Sequence, residues 1–147
     1  IQRTSGLRTS ARNVFHGRIE HLRASGIIVT VVLCTAGGLR VTAMITDESC
    51  KSLGLSRDML ITASIKAPWI IIEPDQGQDK PPVATRNCFR GTVERVRQDE
   101  MLAEILVNLP DGSQAFALHV RGESPIPPVG SSVWVIFKAL SVILTLD

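Results

Sequence analysis

The sequence predicts an all-β protein built from two tandem five-stranded barrels, with one short helix in the first. Three observations carry this. The apolar residues, 44% of the 147, are aliphatic: Val and Ile contribute fourteen each, against four Phe, two Trp and no Tyr. Alternating and β-branched runs of strand length recur between turn residues. The chain also repeats itself. A shift of 74 residues lays Arg12-Asn13 over Arg86-Asn87, Phe15 over Phe89, Gly17 over Gly91, Glu20 over Glu94, Gly38 over Gly112 and Ala43 over Ala117. After a two-residue shortening, Lys66-Ala67 falls on Lys138-Ala139, and Ile70-Ile71-Ile72 on Val142-Ile143-Leu144. So many matches in one order define a duplicated unit. The expected boundaries are a tail of a preceding segment at 1–7, a first unit at 8–73, a linker at 74–83 and a second unit at 84–147.

In the first unit, Gly17 to Arg23 alternates and predicts a strand. Ile27 to Cys34 is a β-branched run, and Leu39 to Ile45 and Met59 to Ile65 alternate again; Trp69 to Ile72 is expected to close the same unit as its fifth strand. Gly37-Gly38 supplies a hairpin turn, and Pro110-Asp111-Gly112 supplies its counterpart in the second unit. One helix is predicted between the third and fourth strands. Thr46 is its N-cap, Asp47 and Glu48 fill the first turn, and Gly54 stops it just beyond Leu53. The matching stretch of the second unit, Arg121 to Pro128, holds three prolines and cannot form that helix. The segment Glu73 to Pro82, rich in Pro, Gly and charge, reads as an extended linker. Five strands with a helix between the third and fourth is the plan of an OB-like barrel.

Composition excludes several function classes. The apolar content is too high for disorder. The longest strongly apolar stretch, Ile27 to Cys34, is eight residues, far below the roughly 20 needed to cross a bilayer, so no membrane partner is expected. Three cysteines with no C-x-x-C pair point to a reducing, cytoplasmic setting. A net charge of +2 is too small to make the whole chain a nucleic-acid binder, although Arg3, Arg8, Arg12, Arg18 and Arg23 outweigh Glu20 over residues 1–23. Single-strand binding by an OB barrel uses exposed stacking aromatics; the six here lie on core-like patterns or within strands, apart from Trp69. His16, His21 and His119 have no cysteine or carboxylate near them at metal-ligand spacing, and no nucleophile motif is present. The chain is therefore read as a binding protein, not an enzyme.

What remains is a set of anion-binding groups near strand ends. Ser10 and Arg12 precede the first strand, Thr46 and Ser49 flank the helix start, and Lys66 ends the fourth strand. A helix N-terminus favours a compact oxyanion, hydroxyls add neutral donors, and Arg and Lys offset its charge. Each cation within about 4 Å of a unit charge is worth on the order of 4 kcal/mol at an effective dielectric near 20, before desolvation. Taken one at a time, capping accounts for Thr46, and solvated surface charge accounts for Arg12 and Lys66.

Together these residues resemble a known pattern. Thr9-Ser-Ala-Arg-Asn13, then Phe15 and Gly17, followed by Ala43-Met-Ile-Thr-Asp-Glu-Ser49, Leu53-Gly-Leu55 and Ile65-Lys-Ala-Pro-Trp69, are similar to the mop domain, a TOBE-type OB barrel that binds molybdate. The tandem arrangement resembles the di-mop effector region of ModE-type molybdate-responsive transcription regulators, over nearly all of residues 8–147. The resemblance implies that Ser10, Arg12 and Lys66 hold molybdate or tungstate, with Ala67 adding a backbone N–H. It implies that Thr46 and Ser49 reach in from a neighbouring subunit, giving a homodimer with the oxyanion at the subunit interface. DNA would be contacted only through an N-terminal winged-helix domain preceding residue 1. A free-standing molybdate store and an accessory domain of a molybdate importer ATPase are the alternatives. The second unit departs from the pattern: Ala84 stands at the place of Ser10, Val120 at that of Thr46 and Glu123 at that of Ser49, so no second copy of the site is expected there.

Overall fold

The computed structural model describes residues 12–146, with side chains from Asn13 onward. β1 (Arg12–Ser25), β2 (Ile28–Thr35) and β3 (Arg40–Thr46) form an antiparallel meander; α1 (Asp47–Leu53) follows, and β4 (Leu60–Lys66) returns to pair with β1. β6 (Arg86–Gln98), β7 (Leu102–Asn108), β8 (Gln114–Val120) and β9 (Ser132–Lys138) repeat this plan with turns in place of the helix. The duplication extends to irregularities, since the register shift between Ile19 and His21 in β1 recurs between Val93 and Arg95 in β6.

β1 is longer than its alternation predicts because an interior position near its start is polar, Asn13, which hides the strand pattern. Arg12 is accordingly the first residue of β1 and does not precede it. The strand pairs with β4 over Arg12–Arg18 and with β2 over Gly17–Ser25, so it curls through the unit. Gly17 stands where the two pairings overlap, and a Cβ there would lie 2.7 Å from the Cys34 carbonyl oxygen. Only glycine permits that approach.

The fifth strands differ from the expectation. β5 (Ile71–Pro74) does not close the first unit but pairs with β9 of the second, and β10 (Ile143–Leu146) pairs with β4 of the first. The two sheets thus run β10-β4-β1-β2-β3 and β5-β9-β6-β7-β8. The cause is the connector. Between β4 and β5 the chain makes a single 3-10 turn, Ala67–Trp69, in which Pro68 fixes φ and donates no N–H. It carries the chain out of its own sheet, and Ile70 beyond it is buried at the crossing, as is Val142 at the equivalent place after the turn Ala139–Ser141. Burying such an aliphatic side chain stabilises by roughly 1.5–3 kcal/mol.

Two asparagines lock the exchange. Asn13 accepts the Phe116 N–H (2.5 Å) and donates to the Phe116 carbonyl (2.9 Å) and the Ile65 carbonyl (3.3 Å). Asn87 does the same for Thr42, accepting its N–H at 2.8 Å and donating to its carbonyl at 2.9 Å. Each side-chain amide thereby acts as one residue of an extra strand, joining β1 to β8 and β6 to β3. Both are almost wholly buried. Around them one hydrophobic cluster spans the units, with Phe15 stacked on Phe137 at 6.4 Å between ring centroids. The β2–β3 turn abuts the β7–β8 turn: Thr35 Oγ1 donates to Asp111 (2.8 Å), and a Cβ on Gly37 would meet the Asp111 carbonyl oxygen at 2.5 Å.

The linker is more tightly held than its composition suggests. Arg90 donates to Asp75 (2.9 Å) and to the Gln78 carbonyl (3.1 Å) while lying over the Trp134 ring, 4.5 Å from its centroid. Lys80 pairs with Glu73 at 2.7 Å. The Arg90 guanidinium first, then the Ser132 hydroxyl and the Gly77 N–H, hold the Asp75 carboxyl at about 2.

Asn87→Ala should destabilise the protein by about 2 kcal/mol, because it leaves both polar groups of Thr42 unpartnered in a part-buried site, and urea denaturation checks this. Asp75 has a folded pKa below its unfolded value, so its contribution is present above pH 4 and is lost as pH falls toward about 2. The Asp75→Asn variant should therefore lose less stability than the parent across that interval in acid-unfolding profiles.

Candidate functional site

Helix α1 forms where the sequence places it, with Thr46 as N-cap and Gly54 as C-cap in the left-handed region. Thr46 Oγ1 accepts the Ser49 N–H (3.1 Å) and donates to Ser49 Oγ (2.9 Å). The Ser49 hydroxyl, accepting from Thr46, is free to donate in its turn. The backbone donors of this helix start are already engaged: Asp47 N–H binds the Ile27 carbonyl, and Glu48 N–H binds Asp47 Oδ1 at 2.9 Å. The expected gift of free helix N–H groups is therefore corrected. What this corner offers a ligand is its two exposed hydroxyls, beside the negative charges of Asp47 and Glu48.

Lys66 and Ala67 occupy the other candidate corner. Lys66 is the last residue of β4, exposed and extended, and it pairs in register with Arg12 at the start of β1. The backbone register thus brings two of the proposed cations to one strand end. Lys66 Nζ lies 5.2 Å from the centroid of the Trp69 ring, a cation–π contact. Ala67 is buried at the head of the 3-10 turn, and Ile70 N–H closes the turn on its carbonyl at 3.2 Å. In the second unit the equivalent amide, that of Ala139, already donates to the Thr85 carbonyl at 2.9 Å. Ser10 lies outside the described residues, as does the Arg12 side chain.

The register keeps these corners apart. Lys66 is opposite Arg12, at one end of β1; Thr46 is opposite Ile28, which pairs with Ser25 at the other end. Each corner instead faces the other unit. The turn Ala67–Trp69 packs on β8, and the turn Ala139–Ser141 packs on β3. A shallow groove beside Ser49 is walled by Ile45, Leu53 and Val142–Leu144.

In the second unit Arg86 and Lys138 keep the cation pairing. Val120, half exposed, replaces the capping hydroxyl, and the stretch after it runs as turns, with Glu123 N–H bonded to the Val120 carbonyl. Among the described residues no group of three or more His, Cys, Asp or Glu could hold a metal ion, and no helix is long and apolar enough to cross a membrane.

Residues 9–72 match the TOBE domain family. This match spans the first unit. Over 150 residues the chain is 32% identical to the transcriptional regulator ModE of Yersinia pestis, an alignment covering 94% of this chain and 52% of that protein. It is 25% identical over 142 residues to the molybdenum-pterin-binding protein MopA of Rhodobacter capsulatus, covering 95% and 53%. The chain spans about half the length of these curated relatives. Its fold also matches a solved structure of the cytoplasmic molybdate-binding protein ModG with molybdate bound, at a TM-score of 0.82 and 29% identity, over 95% of this chain and 99% of that one.

Two residues to which sequence reasoning did not assign a role are Asn13 and its repeat partner Asn87. The signal was present, since Arg-Asn is, with Lys-Ala, one of the two dipeptides identical in both units. It became legible as a clamp only with the exchanged strands in view. Removing the capping hydroxyl in Thr46→Ala should lower stability by about 1 kcal/mol, whereas Ser49→Ala should cost less because only its backbone N–H serves the cap; thermal unfolding of the two variants checks the order.

Proposed function

We propose that this chain is the oxyanion-sensing effector region of a ModE-like regulator, with molybdate or tungstate as ligand. The observation that carries the reading is the joining of a hydroxyl corner, Thr46 with Ser49, and a cationic corner, Lys66 with Arg12, in one fold that superposes on molybdate-bound ModG. In this reading Ser10 and the Ala67 backbone N–H serve the same ligand as these cations. Lys66 and Arg12 balance the two negative charges of the ligand, and the hydroxyls take up its remaining oxygen lone pairs. The chemistry is binding without turnover, in a cytoplasmic protein.

The separation of the two corners along β1 supports a homodimer in which a second chain presents its Thr46 and Ser49 to Lys66 and Arg12. Ligand and dimer are then linked, because an oxyanion held by both chains favours their association. DNA is contacted through the part of such a regulator that lies outside these residues. The acids beside Thr46 bear on selectivity: Asp47 and Glu48 oppose any anion that does not reach both cations.

A second reading, a free-standing molybdate-binding protein, is favoured by the coverage of ModG to 99% of its length by the two units alone. The number of sites per chain separates the readings. Loss of the capping hydroxyl at Val120 and a carboxylate at Glu123 argue for one kind of site and thus for sensing over storage.

Isothermal titration of the parent with molybdate should show binding, and Lys66→Ala should weaken it by roughly 10- to 150-fold, the effect of one charged hydrogen bond. Trp69 emission should change on titration, because the Lys66 ammonium leaves its ring to face the anion. Mass measured in solution should report a dimer with ligand. A parent that binds neither molybdate nor tungstate, or a Lys66→Ala variant that binds as tightly as the parent, rules the reading out.

A further inference from the structure

We infer that His119, on the second unit, is a positioning residue for the oxyanion site of the first, an inference that rests on the function proposed above. His119 Nε2 lies 2.9 Å from the Ile70 carbonyl oxygen. A carbonyl has no proton to give, so Nε2 carries the hydrogen and donates it. Ile70 is the C-cap of the turn whose N-cap is Lys66, and the turn has one internal hydrogen bond, from Ile70 N–H to the Ala67 carbonyl. A single 3-10 turn closed by one bond does not fix the direction of its first residues.

External anchors do so. At its near end Asn13 ties the Ile65 carbonyl to both backbone groups of Phe116. At its far end His119, three residues further along the same strand β8, holds the Ile70 carbonyl. Residues 65–70, which carry Lys66 and Ala67, are thus pinned at both ends to one strand of the other unit. The packing of the turn on β8 is the same contact seen between elements.

The duplication supplies a control. The Asn clamp is present in both units, but the residue equivalent to His119 is Ile45, an aliphatic side chain packed against the core that cannot donate to Val142. The second anchor therefore exists only on the side where the cationic corner of the proposed site stands. The second unit, having lost its own hydroxyl corner, keeps a task as the scaffold of the first.

The test uses the full chain with His119→Ile, which copies the residue of the other unit and so suits the fold, and His119→Gln, whose amide can still donate to Ile70. Molybdate titration by calorimetry should show His119→Ile about three- to tenfold weaker than the parent, the worth of one neutral hydrogen bond, and His119→Gln within about twofold of it. Unliganded Trp69 emission should shift in His119→Ile and not in His119→Gln, a readout that needs no ligand. If Lys66→Ala loses binding while His119→Ile keeps the parent affinity, the positioning role is overturned. Equal weakening in the Gln and Ile variants overturns it as well, since the donated bond would not be the cause. If instead Lys66→Ala binds as the parent does, the site reading fails, and an unshifted Trp69 emission in His119→Ile then removes the anchor independently.

Discussion

The exchange of fifth strands is the constraint on which the rest of the molecule depends. Each sheet takes its last strand from the other half of the chain, so each unit is incomplete by itself. That single crossing explains why Ile70 and Val142 are buried at positions that would otherwise be surface connectors. It also explains why the aliphatic cluster is continuous from Phe15 to Phe137. Buried asparagines are costly unless every polar atom is matched, and Asn13 and Asn87 are matched by the backbone of the opposite unit. The crossing sets their geometry, and they in turn fix the register of the two units.

The same constraint organises the candidate site. Lys66 and Ala67 stand where the chain leaves one unit for the other and changes sheets. Thr46 and Ser49 stand at the start of α1, at the far end of β1. Of the candidate groups, Lys66 stands at the start of the crossing, Arg12 at the start of β1 and the hydroxyls at the helix cap. Asymmetry between the units follows from one small difference: a helix with its hydroxyl cap fits between β3 and β4, while three prolines force the equivalent stretch of the second unit into turns.

Much of this was legible in the sequence. Thr46 and Gly54 marked the ends of the helix within a residue, because capping is local chemistry that needs no knowledge of the rest of the fold. Strand β2 followed from its β-branched run and β3 and β4 from alternation, since one face of each is largely buried. The partner of β5 was not legible, because periodicity reports which face is buried and not which strand lies alongside. Asn13 was also opaque: a polar residue at an interior position reads as a break in the strand until its partner, 103 residues away, is known. For the site, residue types near strand ends, together with the resemblance to the mop pattern, nominated the candidate anion-binding groups. The engagement of the α1 backbone donors by Ile27 and Asp47 depends on tertiary placement and could not be read.

The linker, strapped down by Arg90 and Lys80, has a further meaning when set beside the exchanged strands. Two separate copies of one unit could exchange fifth strands and asparagine clamps in the same way, as partners in a dimer, but their association would depend on concentration. Joining them through the eleven residues 75–85 turns that bimolecular step into an intramolecular one, at an effective concentration on the order of millimolar for a short tether. The exchanged architecture then holds at any dilution. With pairing no longer reliant on two identical surfaces, either half is free to diverge, and the loss of a helix from one half leaves the other half standing.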